Sequence, residues 1–360
     1  MITKPQTFLE KYRSEHGSEI GIACDITANL IGVVYYDLTL RRRYARVSFV
    51  GGEITPMMAG ETLIRLITGS MRELGISASS VREIGIAAPM YIESSLEQEL
   101  SPSDFFLPPS VGIFFVPYIS AAISGRFTAS LLTLPDGDCV AADFGRTFCA
   151  ALKHDNRFTC ASFSLMGAFD GTGLESGMPA ENGAIDAVRR DSDGTIVYEV
   201  VGDGASIGVS PAAALMAAEV MLKTGALDSD GIMTDRDLFY IGEDFFVSQS
   251  DIRVIQSDKA RAAAALKLLP KADKAYFSGE PFSTAAGMKA LLKLGGFPGW
   301  CREAAFCRNS SEQGIILCLE DPKMREKAFE IAETAEDITE TLIPKFDEEY
   351  FDCLSFPEEI

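Results

Sequence analysis

Short apolar runs that end in an acid occur twice along this chain, and each introduces the same series of predicted elements. Residues 20–25 read Ile-Gly-Ile-Ala-Cys-Asp. They are followed by 31–36 (Ile-Gly-Val-Val-Tyr-Tyr), a turn-like polar segment 37–43, and 45–50 (Ala-Arg-Val-Ser-Phe-Val). That pattern predicts three strands joined by hairpins. Leu63, Ile64, Leu66, Ile67, Met71 and Leu74 then fall at helical spacing within 61–74, and 81–87 returns to strand character. The second series opens at 138–143 (Asp-Cys-Val-Ala-Ala-Asp) and continues through short strands at 147–152 and 157–161. Helical patterns follow at 212–224, 252–269 and 324–335, with a strand-like 274–277.

Strand, acid, turn, strand, strand and then helices, twice over, predicts an α/β fold of two duplicated lobes around a cleft. The competing topology is a single doubly wound sheet with an insertion. The expected partition is a polar N-terminal extension at 1–18, a first lobe at 19–125, a second at 126–345, and a peripheral or disordered acidic tail at 346–360. Asp25 and Asp143 would then begin two turns that face the cleft.

Composition narrows the function. The chain has 360 residues and a formal net charge of −20, a field that repels nucleic-acid backbones. The one dense basic run, Arg41-Arg42-Arg43, reads as a solvated hairpin tip. Residues 105–125 carry no charge but contain Pro108, Pro109, Pro117, Gly112 and Gly125, which argues against a membrane-spanning helix. The first 17 residues lack the apolar core of a signal peptide, so the expected location is cytoplasmic. Only His16 and His154 are present, and none of the eight cysteines forms a C-x-x-C pair. A histidine-rich metal site and an iron–sulfur cluster are therefore not expected. Cys24, Cys139, Cys149 and Cys160 fall in strand-like runs, where a thiol serves as a small hydrophobe.

Candidate chemistry gathers at the two acids. Asp143-Phe-Gly-Arg-Thr147 has what a phosphate-gripping hairpin needs. The acid can hold hydrated Mg²⁺, Gly145 lets backbone N–H groups approach an oxyanion, and Thr147 adds a donor. Arg146 could serve as a fixed cation. Asp25-Ile-Thr-Ala-Asn29 occupies the equivalent place without the glycine, and Thr27 puts a side chain where a bare backbone is wanted. An Asx turn or a helix-dipole role would use Asp25 equally well. Glycine-rich stretches at 167–173, 177–183 and 202–208 follow, the last ahead of a helix beginning near Pro211. A capped helix would show the same Pro211. No Walker-type G-x-x-x-x-G-K-[ST] string occurs.

These residues carry a resemblance. Gly177-Met-Pro-Ala-Glu-Asn-Gly-Ala-Ile185, preceded by Ala168-Phe-Asp-Gly171, resembles the F-E-G … G-M-x-A-x-x-G-A-I run of reductive activators of corrinoid proteins. Asp251-Ile-Arg-Val-Ile-Gln-Ser-Asp-Lys259 is similar to that family's D-I-R-x-x-Q-x-A-K, and Gly225-Ala-Leu-Asp228 to its G-I-I-D. Asp143-Phe-Gly-Arg-Thr147 falls where the family has D-I-G-T-N. The resemblance runs from about residue 20 to about residue 338. It implies an actin-like ATPase fold, as in sugar kinases and heat-shock chaperones. It also implies ATP and Mg²⁺ as cofactors, used to drive an electron onto a cobalt(II) corrinoid, normally through an iron–sulfur cluster carried in cis. Implied partners are a corrinoid protein, a corrinoid methyltransferase or a separate electron-donor protein; a homodimer is compatible.

The departures weaken the nucleotide expectation. The family's first phosphate loop, D-I-G-T-T, reads Asp25-Ile-Thr-Ala-Asn29 here. Its G-I-C-G-S-G turn falls on 208–213 and keeps only Gly208. Its G-G-F-G nucleoside turn is reduced to Ser278-Gly-Glu-Pro-Phe282, with Gly279 beside an acidic Glu280. The expectation is a divergent member with a degenerate nucleotide site that acts through partner binding. The alternative is an active ATPase served by a separate electron donor.

Overall fold

A computed structural model describes residues 6–11, 19–234, 236–301 and 303–358. The chain divides into two compact units. One takes in the described residues up to Pro135 and then Asn309–Ala335; the other takes in Asp136–Arg308 and the described residues from Glu336 onward.

The first unit is built on β1 (Gln6–Lys11), β2 (Ile20–Ile26), β3 (Leu30–Asp37), β4 (Arg42–Val50), β5 (Val81–Ala87) and β6 (Gly112–Phe115), in the sheet order β1-β4-β3-β2-β5-β6. Strands β2, β3 and β4 form an antiparallel meander, while β5 and β6 join parallel on the other side of β2. Helix α1 (Pro56–Leu74) begins where the Thr55 hydroxyl accepts from Met58 N and Pro56 takes the first turn. It ends at Gly75 with φ 69°, the left-handed stop that glycine adopts most readily. The start lies ahead of the predicted 61–74 because the first turn is largely exposed, Met57 included, and has no apolar period to detect. Helices α2 (Met90–Glu99) and α3 (Gly125–Leu132) complete this stretch.

The second unit repeats the plan. Strands β7 (Cys139–Phe144), β8 (Thr147–His154) and β9 (Arg157–Ser164) form the meander. A small sheet of β10 (Ala184–Arg190), β11 (Ile196–Val200) and β12 (Gly208–Val209) leads into α4 (Pro211–Thr224). The hairpin β13 (Leu238–Tyr240) and β14 (Phe246–Ser248) leads into α5 (Gln249–Leu268). Strand β15 (Ala275–Gly279), helix α6 (Ala285–Lys293) and β16 (Ala305–Phe306) follow; β15 and β16 join parallel beside β7. The helices α7 (Ser310–Glu320) and α8 (Pro322–Thr334) return to the first unit, and β17 (Glu336–Asp337) and α9 (Thr339–Asp352) to the second. The second large sheet has the order β16-β15-β7-β8-β9-β17. Its core centres on Phe144, whose ring meets those of Phe148, Phe169, Phe277 and Phe282.

Three expected boundaries are corrected. The polar extension at 1–18 contains β1, which pairs antiparallel with β4; residues 1–5 and 12–18 lie outside the described residues. The first unit runs on to Pro135, not 125, because α3 belongs with it, and it recovers 309–335 from the expected second lobe. The acidic tail is packed structure. Leu342 and Phe346, one helical turn apart, are buried, and Phe346 stacks on Phe163 at 4.0 Å. Lys259 Nζ donates to the carbonyls of Cys353 and Ser355 at 2.5 Å each. The acids Asp347 and Glu348 lie exposed on α9, so composition hid an amphipathic helix. Arg41 sits at the hairpin tip with φ 50°. Among the described residues, no helix is long and apolar enough to cross a membrane.

Candidate functional site

Asp25 and Asp143 occupy equivalent register positions in the two sheets. Each is the next-to-last residue of the strand from which both the meander and the parallel strands extend. Asp25 faces Gly32 on β3 and Ala87 on β5; Asp143 faces Cys149 on β8 and Ser278 on β15. Both are partly buried.

Around Asp25 the site is filled by the chain itself. Arg126, the second residue of α3, grips the carboxylate with Nε 2.5 Å from Oδ1 and Nη2 3.3 Å from Oδ2. The two side chains are only 21% and 17% exposed. The Thr27 hydroxyl turns inward, accepting from Leu30 N at 2.9 Å and donating to Asn29 Oδ1 at 3.1 Å. It closes its own hairpin rather than presenting a donor. Arg43 and Arg46 both pair with Glu312 at the start of α7, at 2.5 and 3.3 Å. Glu93, buried on α2, has its carboxyl pushed up to about 8 by burial, with Glu97 adding to the rise.

Around Asp143 the turn stays open. Ser278 donates from Oγ to Asp143 Oδ1 at 2.6 Å. A side chain on Gly145 would meet only Asp143 Oδ2 and Thr147 O, both at 3.8 Å, so packing does not require this glycine. Gly279 is the opposite case. Its φ is +122°, and a Cβ would lie 2.3 Å from Phe144 O; only glycine fits against the end of β7. Thr147 opens β8 opposite Ser164. The exposed Arg146 does not stand free for an anion, since Nη1 donates to Met166 O at 2.7 Å and Thr172 Oγ1 at 3.2 Å. Gly208 is buried in β12, where a Cβ would press on Met178 at 2.8 Å, so packing alone requires a glycine here. The N-terminus of α4 just beyond it is capped by Ser210, whose hydroxyl accepts from Ala213 N and donates to Asp186. Glu280 turns its carboxylate onto Ala180 N at 2.8 Å.

The remaining motif residues hold these loops. Asp258 accepts from the N–H groups of Met166, Gly167 and Ala168 at 2.7–2.9 Å. Burial pushes its carboxyl up despite these donors. Asp251 caps α5 and takes Glu175 N at 2.8 Å. Arg253 and Gln256 bind the Asp230 carbonyl, fixing the turn after Asp228. A Cβ on Gly171 or Gly177 would strike backbone at 2.9 or 2.0 Å. The glycine-rich stretch is thus a packed clamp fastened to α5. At the other end of the β7–β8 hairpin, the exposed Asp138, His154 and Asp155 could together reach a cation. His154 Nδ1 instead lies 2.6 Å from Asp138 Oδ2, and that hydrogen bond pulls the imidazole pKa up. Burial pushes the Cys160 thiol up to about 12, in keeping with a packing role.

Sequence reasoning missed Arg126. It lies 101 residues from Asp25, and only the strand order brings α3 to that position. It also missed the contacts of Ser278 and Asp258, for the same reason.

The family model for the C-terminal, ASKHA (actin-like ATPase) domain of RACo matches residues 138–360, well over half of the chain. The chain belongs to that family. It superimposes on a solved reductive activator for corrinoid, iron–sulfur protein with a TM-score of 0.79 and 18% identity, covering 96% of this chain and 67% of that one. At that identity the likeness establishes the fold. Weaker similarity extends to an ethanolamine utilization protein, EutJ, from Carboxydothermus hydrogenoformans (TM-score 0.41, 11% identity, 83% of this chain and 89% of that one). It extends likewise to a ROK family glucokinase from Streptomyces griseus (0.41, 12%, 83% and 98%). No curated protein matches.

Proposed function

Starting from that membership, we propose that this chain is a corrinoid-activator-type domain whose nucleotide site is degenerate and whose work is done by binding a protein partner. The observation that carries this reading is the closure of the Asp25 hairpin, its carboxylate taken by Arg126 and its hydroxyl donor Thr27 taken by its own turn. Mg-ATP needs a carboxylate free to hold a hydrated cation and bare backbone N–H groups for the phosphates. The residues at Asp25 and Thr27, the capped start of α4 and the engaged Arg146 do not fit that requirement. No step is therefore assigned to nucleotide. The partner is of the corrinoid system: the corrinoid protein, its methyltransferase, or the protein that donates the electron. No cysteine spacing in this sequence suits a cluster, so in this reading the electron that restores cobalt(I) from cobalt(II) is supplied from outside it.

One observation favours the active-ATPase reading. Gly145 is bare without a packing reason, as a phosphate-facing hairpin would be. The deciding experiment mixes the purified chain with a corrinoid protein, its methyltransferase and a reduced donor, and follows complexes by light scattering with and without Mg-ATP. A complex of equal affinity in both conditions is expected. A complex that forms only with Mg-ATP, accompanied by phosphate release, would establish the active ATPase instead.

A further inference from the structure

We infer that Arg126 is a built-in cation occupying the place beside Asp25 where a divalent metal would have to bind, so that this hairpin is closed to metal until the guanidinium is removed. The inference rests on the degenerate-site reading and adds the residue that enforces it.

The geometry is firm at both ends of the pair. Asp25 is held by strand pairing on both sides, opposite Gly32 and Ala87. Arg126 follows Gly125, where a Cβ would sit 2.0 Å from Val116 O, so the first turn of α3 rests directly on the chain that leaves β6. The guanidinium meets both carboxylate oxygens, a forked arrangement that a carboxylate favours over a single point charge. A hydrated Mg²⁺ would need those same oxygens.

The surrounding charge acts in the same direction. Arg46 lies close by, with Nη2 3.5 Å from the position of a Cβ on Gly32, the residue paired with Asp25. Arg46 and Arg43 share the buried Glu312. Three guanidinium groups therefore stand against the carboxylates of Asp25 and Glu312, and Glu93, which also reaches the start of α3, is kept protonated near neutral pH by burial. A divalent cation entering this group would meet a net positive field in a partly buried setting, where screening is weak. Removing Arg126 frees the Asp25 oxygens and brings the group to neutrality.

The test uses Mn²⁺ as probe on the full chain, followed by the loss of the free-ion EPR signal. Wild type, Asp25→Asn, Arg126→Ala, Arg126→Gln and the Asp25→Asn/Arg126→Ala double variant are compared after circular dichroism confirms folding. Wild type and Asp25→Asn should bind Mn²⁺ alike. Arg126→Ala should gain one site, about tenfold tighter or better than wild type at that position, and the double variant should lose it. Arg126→Gln should behave as Arg126→Ala, since its amide carries no charge. No gain in either folded Arg126 variant overturns the inference, as does Mn²⁺ binding to wild type that Asp25→Asn abolishes. If neither variant folds, the wild type against Asp25→Asn comparison decides alone. A separate Mg-ATP titration of wild type keeps this result apart from the degenerate-site reading, because micromolar nucleotide binding would sink that reading whatever Mn²⁺ does.

Discussion

The hairpins at Asp25 and Asp143 stand at one register position of two sheets with the same strand plan, yet their surroundings differ in kind. At Asp143 the parallel neighbour supplies a hydroxyl, Ser278, and the turn carries a glycine that nothing crowds. At Asp25 the parallel neighbour is Ala87, and the carboxylate is met by an arginine from α3. The first arrangement has a carboxylate that accepts a neutral hydroxyl, with a bare turn beside it. The second neutralises the acid and seals the turn with Thr27. Duplication conserves backbone geometry through strand pairing, but the chemistry of each hairpin is set by single side chains arriving from outside it. Equivalence of fold is therefore weak evidence for equivalence of site.

The sharpest way to break this contrast is to substitute its glycines. Gly279→Ala forces a Cβ against Phe144 O at a φ that only glycine tolerates well. It should cost about 4 kcal/mol or more, read by urea unfolding, and distort the Asp143 strand. On the Asp25 side, Glu93 lies with Oε2 3.3 Å from a Cβ position on Gly125, beneath the start of α3. Its carboxyl is raised from 4.5 to about 8 by burial, so the folded state holds a proton that the unfolded chain releases. Its contribution is complete below pH 4.5 and is lost as pH rises through 8. Glu93→Gln should remove that decline, leaving the variant more stable than wild type above pH 8 by a few kcal/mol, on the order expected from the shift. Wild type and variant unfolding with equal pH dependence would refute the buried acid. Arg126→Ala removes the direct ion-pair partner of the partly buried Asp25 and should cost about 2 kcal/mol, whereas Asp143→Asn, which keeps an acceptor for Ser278, should cost less than about 1 kcal/mol. Gly145→Ala is the mildest, within about 0.5 kcal/mol of wild type, because its Cβ makes only ordinary van der Waals contacts at 3.8 Å.

Much of the repeated framework was legible from apolar runs. Strand β5 matches the predicted 81–87, and α4 starts one residue before the predicted 212. Alternation and helical spacing are local signals, and both units bury their apolar runs against a core. What escaped lacks such a signal. Strand β1 carries apolar residues only at Phe8 and Leu9, α2 has only Ile92, Glu93 and Leu96 buried, and α9 hides Leu342 and Phe346 among acids. At the site, the motif spacing located both acids and the glycine turns, while their meaning depended on contacts at long range. Gly208 looks like a glycine of the family's G-I-C-G-S-G turn and Gly279 like one of its nucleoside turn, and in the structure they pack against Met178 and the end of β7. Arg126 carries no motif at all, and it changes the site most.

Calorimetric titration of the full chain with Mg-ATP bears most directly on the claim that the nucleotide site is degenerate. The account predicts affinity no better than about millimolar, equivalent to about −4 kcal/mol, with no measurable phosphate release. Micromolar binding, with hydrolysis abolished by Asp143→Ala, would contradict it.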